Sequence, residues 1–134
     1  MDISFSSRFG RIWPALALTG LIAIALFIPA AWVEDVPSPP EPPLHFLFFF
    51  ALAGVWLHAL PRWRKIVTAA VFLAAFGTEA IQAVAVAGRT AALDDLIGNL
   101  LGVGAAWLVT RWRLSREIAK GAPEKGRKGE GKSR

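Results

Sequence analysis

Six polar residues lie inside or beside long apolar stretches, at spacings that could bring them together for acid–base chemistry. In chain order they are His45, Glu79, Gln82, Arg89, Asp95 and Asn99. Imidazole and carboxyl groups can take up and release protons, and a guanidinium can hold a phosphate or another anion. The i, i+3 spacing of Glu79 and Gln82 and the i, i+4 spacing of Asp95 and Asn99 each place a pair on one face of a helix.

Polar groups of this kind are costly inside a bilayer, and this cost makes them candidates for function. A charged side chain at the centre of a membrane helix costs about 2.5–3.5 kcal/mol on insertion scales, so it usually faces other helices. We predict a single cluster in which some groups are catalytic and others bind substrate. The predicted catalytic residues are Glu79, His45 and Asp95, and the predicted substrate-binding residues are Arg89, Gln82 and Asn99.

The same residues also have structural interpretations. Glu79 could pair with Arg89 or His45 simply to hold the helices together, and Asn99 could supply one interhelical hydrogen bond. Asp95 fits the first turn of a helix, where the helix dipole favours an acidic side chain. The residue types alone leave both interpretations open.

Four apolar stretches must position these residues. We predict helices over about 12–32, 44–60, 66–87 and 93–112, each near the roughly 17–25 residues that cross a bilayer. Helices are expected because lipid cannot satisfy open backbone groups. Gly98 and Gly102 form a GxxxG pair that predicts close helix packing. The predicted fold is an all-α membrane protein, a bundle of about four transmembrane helices over residues 1–113.

Composition supports this class and excludes others. The 134 residues are 54% hydrophobic with a net charge of +5, but nine of the 15 basic residues lie at or after Arg111. The basicity therefore belongs to a tail, and we predict no nucleic-acid partner. Residues 114–134 have a composition that cannot bury a core, which predicts a disordered basic tail. With no cysteine and two histidines, we predict no metal site and no cofactor.

The distribution of lysine and arginine predicts the orientation in the membrane. Basic residues precede the first stretch and lie between the second and third, whereas the first connection is acidic. This alternation predicts a multi-pass membrane protein with both termini in the cytoplasm (N-in/C-in) and with the polar cluster outside. Trp13, Trp63 and Trp112 would form the inner interfacial belt. The first stretch is longer than a typical signal-peptide core, which favours its retention.

The pattern from Glu79 to Gly102 resembles the VanZ-like family of small bacterial membrane proteins. The matching positions are Glu79, Gln82, Arg89, Asp95, Asn99 and Gly102, with His45 similar to the family's first motif. The resemblance covers roughly residues 41–110. The chain departs from the family at 41–44, where Glu-Pro-Pro-Leu replaces an Asp-Lys pair, and after Arg89, where an aromatic residue is missing. The resemblance implies a membrane fold, a location in the bacterial cytoplasmic membrane and a shared polar cluster. The family is named after a protein associated with low-level teicoplanin resistance, and the resemblance implies no particular reaction.

Two functions follow as hypotheses, and whether the protein is an enzyme stays open. The first is a cell-envelope protein that acts on a lipid-linked or cell-wall substrate, with membrane lipids around it and an anionic group held by Arg89. The alternative is a non-enzymatic accessory or assembly subunit of a larger membrane complex. A proton path is less well supported because Glu79 has no polar relay behind it. The basic tail could attract anionic lipid, although a topological anchor is the simpler interpretation.

Overall fold

The computed structural model describes residues 3–28, 32, 41–85 and 93–121. These residues form four long α-helices, and no strand occurs among them. The helices are α1 (Ile3–Phe27), α2 (Glu41–Ala59), α3 (Arg64–Ala85) and α4 (Leu93–Gly121), with a 3₁₀ turn at Pro61–Trp63 between α2 and α3. The prediction of an all-α chain with four long helices is confirmed for the described residues.

Three of the helices are long and apolar enough to cross a membrane. Their apolar spans are Gly10–Phe27, Pro61–Ala85 and Leu93–Lys120, whereas α2 contributes the shorter apolar helix Pro43–Ala59. Large apolar side chains such as Leu73 are also exposed on the outer surface. A helix that is apolar on both its buried and its exposed faces is typical of a protein surrounded by lipid.

The first helix begins earlier and ends earlier than predicted. α1 starts at Ile3 rather than near position 12, and it ends at Phe27 rather than at position 32. The early end has a steric cause, because Pro29 disfavours a helical backbone at Ile28, the residue before it. Hydropathy could not show this end, since the apolar residues continue past it.

The other helix ends differ for related reasons. α2 starts at Glu41, because Pro42 and Pro43 can occupy a first helical turn, where their missing N–H groups have no intrahelical acceptor. α4 continues to Gly121, so residues 114–121 are helical rather than part of a disordered tail. Strong helix formers fill this segment, and the glycine is a common helix terminator. Residues 122–134 lie outside the described residues.

α2 is the central helix of the bundle. It contacts α1, α3 and α4, and its interface with α4 is the most extensive in the molecule. Gly102 permits this close crossing: a Cβ atom there would overlap the carbonyl oxygen of Phe46 and lie 2.8 Å from the backbone nitrogen of Phe50. Among the described residues, α1 does not pack against α4.

On three helices the buried face forms a stripe that is apolar at one end of the helix and polar at the other. On α3 the buried positions are Val67, Val71, Ala75, Glu79 and Gln82, which recur at the three- or four-residue spacing of one helix face. On α2 the stripe runs from Leu57 through Phe49 to His45, and on α4 it runs from Ala106 and Val103 to Asn99 and Asp95. Because α2 and α4 begin at the end of the bundle where α3 finishes, the polar ends of all three stripes meet there.

Candidate functional site

Five polar side chains are buried at the end of the bundle where the stripes meet, which we call the polar end. They are His45, Glu79, Gln82, Asp95 and Asn99, with exposed fractions between 0% and 6%. All five are among the site residues predicted from the sequence. Arg89, the sixth candidate, lies outside the described residues, and its anion-binding role stays a prediction.

Asn99 joins the imidazole on α2 to the carboxylate on α3. Its amide Nδ2 donates to Glu79 Oε1 over 3.0 Å, and its Oδ1 lies 3.1 Å from His45 Nδ1. Only the amide nitrogen can donate to a carboxylate, so the amide has a defined orientation and its oxygen must accept. His45 Nδ1 is therefore the donor of the second bond, and the hydrogen-bond network assigns the proton to that nitrogen.

His45 lies between two carboxylates, one beside each ring nitrogen. Its Nδ1 is 3.5 Å from Glu79 Oε1, and its Nε2 is 3.9 Å from Asp95 Oδ2. With the proton held on Nδ1, Nε2 carries the lone pair of the neutral ring. The gap to Asp95 is longer than a direct hydrogen bond. A neutral imidazole that donates from Nδ1 and carries its lone pair on Nε2 has the organisation of a general base.

Gln82 ties the polar end to α1. Its Nε2 donates to the carbonyl oxygen of Leu26 over 2.7 Å. Leu26 is in the last turn of α1, where carbonyl groups have no partner within the helix. The amide nitrogen of Gln82 is thus occupied in capping a helix, and its predicted role in substrate binding stays a prediction.

The two glycines of the GxxxG pair are buried on α4. Gly102 lies at the contact with Phe46 and Phe50 on α2, one turn after Asn99. The backbone contact therefore fixes the separation of α2 and α4 next to the hydrogen bond between His45 and Asn99.

Two polar contacts on α1 were missed from the sequence. Trp56 Nε1 donates to Thr19 Oγ1 over 2.9 Å, and Thr19 Oγ1 donates to the Ala15 carbonyl over 2.7 Å. The indole N–H of a tryptophan that packs between helices usually needs a hydrogen-bond acceptor. This requirement could have predicted the bond from Trp56 to Thr19. The hydrogen bond from Gln82 to the backbone carbonyl of Leu26 could not be predicted in this way, because every residue carries a backbone carbonyl.

Comparison with known proteins returns no relative: no family model matches the chain, and neither a curated protein nor a solved structure does. The resemblance to the VanZ-like family therefore rests on the residues themselves. Within the described ranges, no group of three or more His, Asp and Glu side chains is suited to hold a metal ion.

Proposed function

We propose that this chain is a VanZ-like integral membrane protein of the bacterial cell envelope, in which His45 is the general base of a reaction on a lipid-linked or cell-wall substrate. The observation that carries the proposal is the buried chain of contacts from Glu79 through Asn99 to Nδ1 of His45, with Nε2 of the same ring beside Asp95. Asn99 accepts from Nδ1 and in turn donates to Glu79, which leaves Nε2 as the basic nitrogen, beside Asp95.

The four groups divide three tasks between them in this proposal. Nε2 of His45 takes the proton from a hydroxyl group or a water molecule of the substrate complex. The carboxylate of Asp95 stabilises the imidazolium that forms, because an opposite charge close to a buried cation lowers its free energy. Glu79 and Asn99 hold the ring in place, so they are positioning residues and not the base itself.

The proposed orientation places the polar end at the outer surface of the cytoplasmic membrane, with both chain termini in the cytoplasm. The support is the charge of the connecting segments, which is acidic before α2 and basic between α2 and α3. Lipid-linked precursors of the cell wall carry phosphate groups, and Arg89 is the residue we expect to bind one.

A substitution at His45 tests the proposed base. His45→Asn retains an amide N–H near the position of Nδ1 but has no equivalent of Nε2. We expect His45→Asn to abolish any teicoplanin-resistance phenotype while the membrane content and melting temperature in detergent stay close to wild type. His58→Asn, at the exposed histidine of α2, is the matched control. A normal phenotype in a folded His45→Asn protein contradicts the proposal.

A second candidate function is a non-enzymatic assembly subunit of a larger membrane complex. The favouring observation is that three hydrogen bonds of the polar end each join two different helices: α2 to α4, α4 to α3, and α3 to α1. In this case the cluster holds the bundle together for a partner. Affinity purification from mild detergent would then recover a partner with wild type, and His45→Asn would retain both the partner and the phenotype.

A further inference from the structure

The end of the bundle opposite the polar end contains a cleft that the proposed reaction does not use. The cleft encloses about 510 Å³, within the roughly 300–1,000 Å³ typical of small-molecule sites. Residues of α2 and α4 form most of its lining, and α1 and α3 contribute one arginine each. Because α1 does not pack against α4, protein side chains leave this space between them unfilled. His58 lies about 20 Å along α2 from His45, so the part of the cleft around His58 is separate from the polar end, and the lining nearest to the polar end is the apolar Phe50.

One half of the cleft is strongly basic. Arg11, Arg64 and Arg113 line it from three different helices, and the carboxylate of Glu117 is the acidic group among the lining residues. Neither Arg64 nor Arg113 forms an ion pair with a carboxylate of the described residues. The Nε atom of Arg64 is buried and has no hydrogen-bond partner within the described part of the chain. A buried donor without an acceptor is costly, and an anion supplied from outside would satisfy it.

The other half of the cleft is apolar and continues along the α2–α4 groove. Phe50, Gly54 and Leu57 line it on α2, facing Ala106 and Val109 on α4. From Phe50 to Leu57 the groove runs about 10 Å. A free phosphate would occupy only the basic half. A molecule with a phosphate at one end and a hydrocarbon chain at the other complements both halves.

We propose that this cleft is a binding site for an anionic phospholipid, with the phosphate held by Arg64 and Arg113 and one acyl chain lying in the groove beside Gly54. Arginine suits this task because its planar guanidinium can bind phosphate through two hydrogen bonds. The lipid fills the space between α1 and α4. The site does not depend on the chemistry of the polar end, and it stands whether or not His45 is a base.

The test uses the full-length protein, purified in detergent and titrated with lipids of matched acyl chains. We expect phosphatidylglycerol to raise the melting temperature and to remain bound in native mass spectrometry, and phosphatidylcholine or inorganic phosphate to do neither. The double variant Arg64→Gln/Arg113→Gln should weaken phosphatidylglycerol binding about tenfold or more, since it removes charge-assisted hydrogen bonds. Lys65→Gln/Arg116→Gln, on the same helices but outside the cleft lining, is the matched control and should bind normally.

A third variant separates a lipid from a free anion. Gly54→Leu would fill the apolar half of the groove, and a Cβ atom at Gly54 meets no atom within 4 Å, so the helix itself can accept the side chain. We expect it to abolish lipid retention, while Gly77→Leu, equally open on α3, leaves it intact. Equal binding of phosphatidylcholine, normal binding by the double arginine variant, or an equal effect of inorganic phosphate would each overturn the proposal.

Discussion

Asn99 is the residue on which the geometry of the polar end depends. It is fully buried, and its single amide group serves the imidazole on one side and the carboxylate on the other. Its planar amide supplies a donor and an acceptor at once, which an ionised aspartate or a leucine cannot do and which glutamine supplies only on a longer side chain. The donor side of the amide faces Glu79, so its acceptor side faces Nδ1 of His45.

Substitution of Asn99 should lower the stability of the protein by an amount that depends on the new residue. Asn99→Leu conserves volume but removes both hydrogen bonds, and we expect it to lower the free energy of unfolding by about 2–4 kcal/mol, because a buried carboxylate loses its donor. Asn99→Asp should be at least as damaging, because it adds a second carboxylate beside Glu79. Reversible unfolding in detergent would measure both. Ser115→Ala, which removes one exposed hydrogen bond within α4, should change the value by less than about 0.5 kcal/mol.

The sequence predicted which residues belong to the polar end but not how they connect. Helical spacing and the cost of burying charge single out His45, Glu79, Asp95 and Asn99, and the structure places these four together. It could not predict that Gln82 turns towards the last turn of α1, because that contact depends on where α1 ends and on a backbone carbonyl that carries no sequence signal.

At the scale of helices, the crossing of α2 and α4 determines the rest of the architecture. α2 is apolar on all sides, so no one-sided pattern in its sequence indicates which neighbour it prefers. The four helices could be predicted from their apolar length, but the central place of α2 could not. The small residues of α4 indicated that another helix packs closely against it, but a GxxxG pattern does not show which helix this is.

A methyl group at Gly102 should separate these helices. In Gly102→Ala the new Cβ atom meets backbone atoms of Phe46 and Phe50, which cannot rotate away as a side chain could. We expect a loss of stability of about 1–3 kcal/mol from overpacking. A shift of α2 would also lengthen the bond from His45 to Asn99, so any phenotype of the polar end should weaken as well.

Gly104→Ala is the control for this substitution. It lies two residues further along α4, and its Cβ atom would meet nothing within 4 Å. We expect it to be neutral or to stabilise by up to about 1 kcal/mol, since alanine is the better helix former. Equal melting temperatures for the two variants would show that the close approach at Gly102 does not limit packing.

At the scale of the whole molecule, the bundle separates an acid-containing end from an arginine-rich end. Trp13, Trp63 and Trp112 are each more than half exposed, and all three lie towards the arginine-rich end, as interfacial anchors would. α1 and α4 continue past Trp13 and Trp112 by about 13–15 Å. These extensions carry the charged residues that hydropathy alone had assigned to regions outside the helices.

The absence of cysteine from the chain gives a direct test of orientation. A membrane-impermeant maleimide should label Leu93→Cys, an exposed position at the polar end, in intact cells. Lys120→Cys, at the far end of α4, should be labelled only after the cells are opened. The reverse pattern would contradict the proposed orientation, and labelling of both in intact cells would contradict a membrane-spanning α4. Wild-type protein, which has no thiol, is the control.

The main interface of the bundle joins two helices that α3 separates in the sequence. During synthesis, His45 and Glu79 are therefore delivered to the membrane before Asn99 and Gly102 exist. A nascent chain that lacks α4 carries an imidazole and a carboxylate but not the amide that joins them. We expect chains truncated before α4 to be degraded faster than the full chain, so that docking of α4 is the step at which a newly made molecule becomes long-lived.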